Sequence, residues 1–197
     1  MIDGAFNILK LYFKNKIEIS DEEFDYWKSF FIHKEIKKNK FLLTEEDICR
    51  HIYFVTSGCL RSFTIDKNGN EHVIQFAPEN WWISDLNSFS NEVSSLINID
   101  AIVDTTILKI EKEYYNKLSI EFPKWNNLFM NLLQNSRGAY ERRVLSYLNS
   151  SAEERYIHFI KHFSSIAPQI PQHMIASYLG ITPESLSRIR KHISDNK

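Results

Sequence analysis

Two charged side chains near the end of the chain have the types and the spacing that read DNA bases. Glu184 and Arg188 stand one helical turn apart in the segment Pro183–Ile193. An arginine can pair with guanine through two hydrogen bonds, and a glutamate can accept one from the amino group of cytosine. The leucine and the two isoleucines of the segment recur at helical spacing on a different face, so both charged side chains are predicted to point outward.

The residues before this segment predict a second short helix and a tight turn. The helix would run from about Pro171 to Leu179, where Gly180 ends it, because glycine adopts the left-handed conformation at little steric cost. Thr182 is a good N-cap for the next helix, and Pro183 suits its first turn. The pattern predicts a helix-turn-helix, whose second helix, residues 183–193, enters the DNA major groove. An αα-hairpin with a solvated basic face is the alternative interpretation.

Composition is typical of a soluble globular protein and excludes several other classes. Of the 197 residues, 43% are hydrophobic and 25% are charged, and no apolar run is long enough to span a membrane. With no signal-peptide pattern, the sequence predicts a cytoplasmic protein. The net charge is −1, so any basic footprint for DNA must be local. Cys49 and Cys59 are too few for an iron–sulfur cluster or a structural zinc site, so we predict two buried thiols and no metal.

The chain up to residue 122 predicts a β-roll with flanking helices. Ser20–Glu23 has the pattern of a capping box for a helix that reaches about His33. Short β-branched and aromatic segments follow between residues 34 and 110, and Asp66–Gly69 is a hairpin turn signal. These segments predict an antiparallel roll, and hence an α+β fold.

Residues 123–149 predict one long helix between the roll and a DNA-binding domain at residues 150–197. Its apolar residues cover a wide arc, more than a small roll can bury. We therefore predict that the helix pairs with the same helix of a second copy, and the alternative is a helix that covers only its own domain. The stripe predicted for pairing consists of Phe129, Leu133, Tyr140, Val144 and Tyr147.

The order of these elements and several short motifs resemble the Crp/Fnr family, the cyclic-nucleotide-receptor-type transcription regulators. The motifs are Tyr53–Gly58 followed by Leu60-Arg61, then Asn68–His72, Ile83–Leu86 and Gly180–Arg188. The resemblance covers nearly the whole chain and implies a cyclic-nucleotide-binding-like jelly roll, a long dimerisation helix and a C-terminal helix-turn-helix. It implies a homodimer that binds double-stranded DNA at an inverted repeat. RNA polymerase and a small-molecule effector of unknown identity are the further partners it suggests.

The resemblance also assigns roles within the helix-turn-helix. Glu184 and Arg188 align with base-reading positions, whereas Gln172, Thr182 and Ser185 align with positions that often touch phosphate. The full set predicted to contact DNA is Gln172, Thr182, Pro183, Glu184, Ser185, Ser187, Arg188 and Lys191.

The roll departs from the family where members bind a cyclic nucleotide. Ser84-Asp85 stands in place of the Gly-Glu that binds near the ribose, and residues 91–97 lack the arginine that meets the cyclic phosphate. No lysine or arginine occurs between Lys67 and Lys109, although a buried phosphate needs a cation or several N–H donors. We therefore predict a degenerate cassette that does not bind cyclic AMP, and no cofactor. The residues expected to line any ligand pocket are Trp82, Ser84, Asp85, Ser94 and Ser95.

The C-terminal region departs from the family as well. Many members follow the recognition helix with a small β-wing, and this chain has only about five residues after its second helix. We therefore predict a compact version without a wing.

A cupin-like metal enzyme and an adaptor that binds protein are the alternative functions. A cupin metal site needs two or three histidines and a carboxylate, often from a His-x-His pair, and the roll has no such pair. We therefore predict that the chain is not an enzyme. An adaptor would show no salt-sensitive affinity for DNA.

Overall fold

Eight β-strands form between residues 31 and 111 in the computed structural model, which describes residues 2–195. They are β1 Phe31–Ile36, β2 Phe41–Leu43, β3 His51–Ser57, β4 Cys59–Ile65, β5 Glu71–Pro78, β6 Trp82–Ile83, β7 Asn98–Ala101 and β8 Thr105–Glu111. The predicted hairpin turn at Asp66–Gly69 joins β4 to β5.

Helices lie before, between and after the strands. They are α1 Ile2–Lys14, α2 Asp21–Lys28, α3 Leu86–Asn91, α4 Lys112–Glu121, α5 Pro123–Asn149, α6 Ala152–His162, α7 Gln172–Leu179 and α8 Pro183–Asp195, with a short 3₁₀ turn at Ala167–Gln169. The long helix predicted from residue 123 to 149 is α5.

The strands form two four-stranded sheets, in the orders β1-β8-β3-β6 and β2-β7-β4-β5. The β1–β8, β3–β8, β3–β6 and β2–β7 pairs are antiparallel. Every residue of β3 from Ile52 to Thr56 is buried, so both faces of this strand are covered. The antiparallel jelly roll and the helices after it confirm the predicted α+β fold class.

The helix prediction around His33 is wrong. α2 begins with the predicted capping box at Ser20 and Glu23, but it ends at Lys28. The residues from Phe31 onward form β1 instead, because their backbone groups pair with β8 along the whole strand. Pairing with a distant strand therefore overrides the local helical pattern of these residues.

The described chain divides into two compact units. The first comprises the residues up to 62 together with residues 76–133, and the second comprises residues 63–75 together with those from 134 onward. The second unit thus holds the tip of the β4–β5 hairpin, the C-terminal half of α5, and α6 to α8. The boundaries predicted at residues 122/123 and 149/150 remain predictions.

The core of the first unit is rich in aromatic side chains. Trp27 of α2 and Trp125 of α5 are fully buried, and their ring centroids lie 5.2 Å apart with nearly perpendicular planes. Phe13 of α1 packs edge-on against both. Aromatic pairs in this geometry gain about 0.5–1.5 kcal/mol beyond the burial of their area. These contacts fix the first turns of α5 within this unit.

The second unit carries the predicted helix-turn-helix. Gly180 ends α7 with a φ of +67°, as the sequence indicates. Thr182 then caps α8, since its hydroxyl accepts a hydrogen bond from the backbone N–H of Ser185 at 3.2 Å. Leu179 of α7 and Leu186 of α8 are buried in this unit. The turn and the cap together set the angle at which α8 leaves α7.

Candidate nucleic-acid interface

The outward face of α8 carries the predicted base-reading residues. Glu184 and Arg188 are both exposed and lie away from the buried Leu186. The backbone N–H at the start of the helix and the Thr182 hydroxyl lower the pKa of Glu184. Glu184 is therefore an anion at neutral pH and can only accept hydrogen bonds, as pairing with the cytosine amino group requires.

A groove lies beside these residues, between α8 and the start of α7. It has a volume of about 470 Å³ and is lined by Gln172, Pro183, Ser187, Arg190 and Lys191. Two cations and two neutral hydrogen-bonding side chains suit the phosphate oxygens of a DNA strand. The structure thus brings together four predicted DNA-contact residues, and it adds Arg190 to them.

Two other predicted contact residues are already engaged in the cap of α8. The Thr182 hydroxyl lies 3.2 Å from the Ser185 hydroxyl and accepts from the Ser185 N–H at a similar distance. Ser185 is half-buried. Their first role in this structure is to begin α8 at a fixed position.

The residues predicted to form the pairing stripe of α5 fall on different surroundings. Phe129 is buried in the aromatic core of the first unit, where its ring centroid lies 4.6 Å from that of Trp125. Within the second unit, the Tyr140 hydroxyl donates to the Gln75 side chain at 3.4 Å, and the Tyr147 hydroxyl donates to a backbone carbonyl of α7 at 2.7 Å.

The apolar side chains of α5 that stay exposed define a narrower stripe. Of the predicted set, Leu133, Tyr140 and Tyr147 are 39%, 43% and 40% exposed, and Val144 is 58% exposed. Three further apolar residues of the helix are at least 54% exposed: Met130, Leu145 and Leu148. We call Val144, Leu145 and Leu148, which lie in the second unit, the open stripe. Exposed apolar residues grouped on one side of a helix are typical of an interaction surface.

In the roll, Asp85 occupies the place where the resemblance puts a ribose ligand. Its Oδ1 caps α3 by accepting hydrogen bonds from the N–H groups of Asn87 and Ser88 at 3.1 and 3.0 Å. Its Oδ2 accepts from the Ser95 hydroxyl at 2.8 Å and from the Leu96 N–H at 3.3 Å. The N–H donors at the start of α3 therefore face a carboxylate of the protein itself.

The other residues predicted for the pocket are also held by neighbours. The Ser84 hydroxyl donates to the His51 carbonyl at 3.0 Å. Ser94 forms an isolated bridge with Ile48. Trp82 packs against the Phe54 ring with centroids 4.8 Å apart, in the aromatic core. Five residues predicted to bind a ligand are thus parts of local structure.

No cluster of three histidine, cysteine or acidic side chains among the described residues could hold a metal ion. Cys49 and Cys59 are both buried free thiols, as the sequence predicted, and burial raises the pKa of Cys59 to about 12. Within residues 2–195, no helix has the length and apolar character that crossing a membrane requires.

Comparison with known proteins agrees with this architecture. Residues 33–121 match the family described as cyclic nucleotide-binding domain. The transcriptional activator protein Anr of Pseudomonas protegens is 23% identical over 177 residues, which cover 83% of this chain and 71% of that protein. The regulatory protein HlyX of Actinobacillus pleuropneumoniae is 25% identical over 170 residues, or 79% of this chain and 69% of the relative.

Two solved structures share the fold. FixK2 from Bradyrhizobium japonicum superposes with a TM-score of 0.75 at 17% identity, over 84% of this chain and 85% of its own. A CooA variant from Carboxydothermus hydrogenoformans superposes with a TM-score of 0.69 at 17% identity, over 92% and 82%. Anr is named a transcriptional activator, and HlyX is named a regulatory protein. The protein is a DNA-binding transcription regulator that is similar, over most of its length, to regulators of the Crp/Fnr type.

Proposed function

We propose that the protein binds an inverted-repeat operator as a homodimer, with α8 of each copy in successive major grooves. The observation that carries the proposal is the polar surface of α8. Glu184 and Arg188 are exposed on it, and a basic groove lined by Arg190 and Lys191 lies beside them. A two-fold dimer places its recognition helices about one turn of DNA apart, so the half-sites should have that spacing.

In this proposal the exposed pair Glu184 and Arg188 and the residues of the groove have different roles. Arg188 and Glu184 read base edges, whereas Arg190 and Lys191 neutralise phosphates along the groove. Gln172 closes the groove from α7 and donates to a phosphate oxygen. Each neutralised phosphate releases counterions, so the phosphate contacts should dominate the salt dependence of binding.

The open stripe of α5 supports the homodimer. Val144 and Leu148 stand one helical turn apart with Leu145 beside them, and each of the three is at least 54% exposed. Pairing with a second copy would remove this surface from water, and each fully covered leucine or valine contributes roughly 1.5–3 kcal/mol. We propose the open stripe, rather than the stripe that includes Phe129, as the pairing surface.

We propose that the roll does not take cyclic AMP as its effector. Asp85 already satisfies the N–H groups at the start of α3, and its negative charge would repel a cyclic phosphate placed there. The effector, if the protein has one, is a different small molecule. On the family resemblance, RNA polymerase is a further partner.

We also propose that the protein acts by binding alone, without catalysis and without a metal cofactor. Its two cysteines are buried free thiols, far fewer than the four ligands an iron–sulfur cluster normally takes. Metal analysis of protein purified without oxygen tests this. Stoichiometric iron would contradict it.

The experiment that tests the DNA role is selection from a random duplex pool, followed by anisotropy titration of the enriched site. We expect an inverted repeat whose affinity is the same with and without cyclic AMP. Enhancement by cyclic AMP would overturn the interpretation of Asp85. Failure to enrich any sequence would favour the adaptor function.

Two variants then test base reading and phosphate contact separately. Arg188→Ala should relax base preference at one position of each half-site, at a cost of about 1–3 kcal/mol. Lys191→Ala should weaken binding to all duplexes alike and reduce the salt slope by about 1. If Arg188→Ala keeps full base preference, the assignment of Arg188 to base reading is wrong.

A further inference from the structure

The second unit contains a contact network that the sequence did not predict, at the edge of β5. In the described chain, β5 is the last strand in the order of its sheet. Ser177 of α7 binds to the backbone of this edge strand. Its hydroxyl accepts from the Val73 N–H at 2.9 Å and donates to the Glu71 carbonyl at 2.7 Å. The hairpin edge is thereby paired with a side chain of the helix-turn-helix.

Arg143 of α5 completes the network. Its guanidinium donates to the carbonyls of Val73, at 3.0 Å, and of Ile74 on the hairpin. It also donates to the carbonyl of Tyr178 at 2.9 Å, near the end of α7, and stacks over the Tyr178 ring at 4.0 Å from the centroid. A single side chain thus ties three elements of the unit together. We call Arg143, Ser177 and their hydrogen-bond partners the clasp.

Tyr147 extends the clasp to the turn of the helix-turn-helix. Its hydroxyl accepts from Nε of Arg143 at 2.8 Å and donates to the Tyr178 carbonyl at 2.7 Å. Its ring lies against Gly180, where a Cβ would come within 3.2 Å of the ring. The carbonyl before the turn and the turn glycine are therefore both held from α5.

We propose that Arg143 is a positioning residue for DNA recognition: by clasping the last turn of α7 to the β5 edge, it fixes the direction in which α8 leaves the turn. Only Ile181 and Thr182 separate Gly180 from the first residue of α8. A change in the last turn of α7 therefore changes the orientation of α8 directly. The inference deepens the proposed function and rests on it.

The chemistry of the clasp requires arginine. Its acceptors are backbone carbonyls and a phenol spread around the planar guanidinium, which offers five N–H donors in fixed directions. A lysine has the same charge but a single ammonium group, so it cannot reach all three elements at once. Arg143→Lys should therefore retain only part of the effect.

The test compares Arg143→Met, Arg143→Lys and Ser177→Ala with wild type. Arg142→Met is the matched control, since Arg142 is the exposed neighbour on the same helix and lies outside the clasp. The readouts are affinity for the selected operator, affinity for a random duplex, and hydrogen exchange of the Val73 amide. The last reports on the clasp without DNA, because the Ser177 hydroxyl protects that N–H.

Arg143→Met should lower operator affinity about tenfold to a hundredfold, the range expected for a lost set of charge-assisted hydrogen bonds. Random-duplex affinity should stay within about twofold, since no phosphate-facing cation has changed, and the Val73 amide should exchange faster. Ser177→Ala should lower operator affinity about three- to tenfold. Arg142→Met should leave the Val73 amide protected.

Unchanged operator affinity in Arg143→Met, with a wild type that selects a sequence, would refute the positioning role alone. An equal loss on operator and random duplex would also refute it, because it would indicate general damage to the unit. A wild type that selects no sequence would refute the proposed function, and the positioning role with it.

Discussion

Replacing Asp100 with alanine should destabilise the roll strongly, because it would remove the carboxylate that binds the buried Arg61 guanidinium. The Arg61 and Asp100 side chains are only 4% and 7% exposed, and the two ion-pair hydrogen bonds, Nε to Oδ1 and Nη2 to Oδ2, measure 2.8 and 3.0 Å. Removing one member of such a buried pair typically costs about 3–5 kcal/mol. A domain of this size has roughly 5–15 kcal/mol of stability in total, so the loss would be a large part of it.

Two further variants show whether the cost comes from the loss of the Asp100 carboxylate beside the buried guanidinium. Arg61→Met combined with Asp100→Leu removes both charges, and it should be closer to wild type than Asp100→Ala is. Lys37→Met breaks the exposed Lys37–Asp104 pair of the same unit, whose side chains are 75% and 61% exposed, and it should leave the unfolding midpoint almost unchanged.

The assay is urea unfolding followed by tryptophan fluorescence at one fixed protein concentration. All four tryptophans lie in the first unit, so the signal reports on the roll and its helices. Fixed concentration matters because pairing between copies would contribute to apparent stability. An Asp100→Ala variant within about 1 kcal/mol of wild type would show that the guanidinium is not trapped in the interior as the hydrogen bonds indicate.

Three other outcomes are expected. Gly180→Ala should destabilise the second unit by about 1 kcal/mol or more, since the residue has a φ of +67° and its new Cβ would meet the Tyr147 ring. Thermal unfolding followed by circular dichroism measures this loss, and an unchanged unfolding midpoint would contradict it. Burial, with Lys109 nearby, lowers the pKa of His51, so the roll should lose stability as the pH falls below about 6.5. In urea titrations at several pH values, His51→Gln should make this loss of stability less steep. An equally steep loss in the variant would exclude His51 as its source. Leu148 is 75% exposed, and Leu148→Asp should dissociate the proposed dimer in sedimentation experiments without lowering the unfolding midpoint of the monomer. A variant that sediments like wild type would show that the open stripe is not part of the pairing surface.

Local signals account for the parts of the fold that the sequence predicted. Gly180 and Thr182 specify the turn and the cap of the helix-turn-helix through their own backbone and hydroxyl chemistry. Asp66 specifies the hairpin turn by accepting from the N–H groups of Asn68 and Asn70. In each case, the residues that carry the signal are within a few positions of the structure they form.

The parts that the sequence did not predict depend on distant partners. The segment from Phe31 reads as helix until β8 supplies its hydrogen bonds. Asp85 has the acceptor chemistry of a ribose ligand, and only the fold brings the Ser95 hydroxyl to the same carboxylate. Arg143 and Ser177 carry no local pattern, because nearly all their partners are backbone groups, which every sequence has.

The long helix illustrates why periodicity alone could not assign its apolar residues. Some apolar residues of the helix pack in the core of the protein and others are available to a partner. The sequence pattern does not distinguish the two groups. Phe129 belongs to the core, whereas the C-terminal half of α5 has two distinct faces. Arg143 and Tyr147 lie on the face that holds the helix-turn-helix, and Val144 and Leu148 each follow one residue later, about 100° around the helix.

This placement links pairing to recognition through a single rigid element. Since Val144 follows Arg143 directly on one helix, a rotation that changes how the open stripe meets a partner also turns the guanidinium relative to the β5 edge. The guanidinium has fixed donor directions, so a turn of the helix by even a few tens of degrees would break some of its bonds to Val73 and Tyr178. An effector that alters the pairing of the two copies would thus alter the orientation of α8 without contacting DNA. This requires that the effector binds the two pairing arrangements with different affinity.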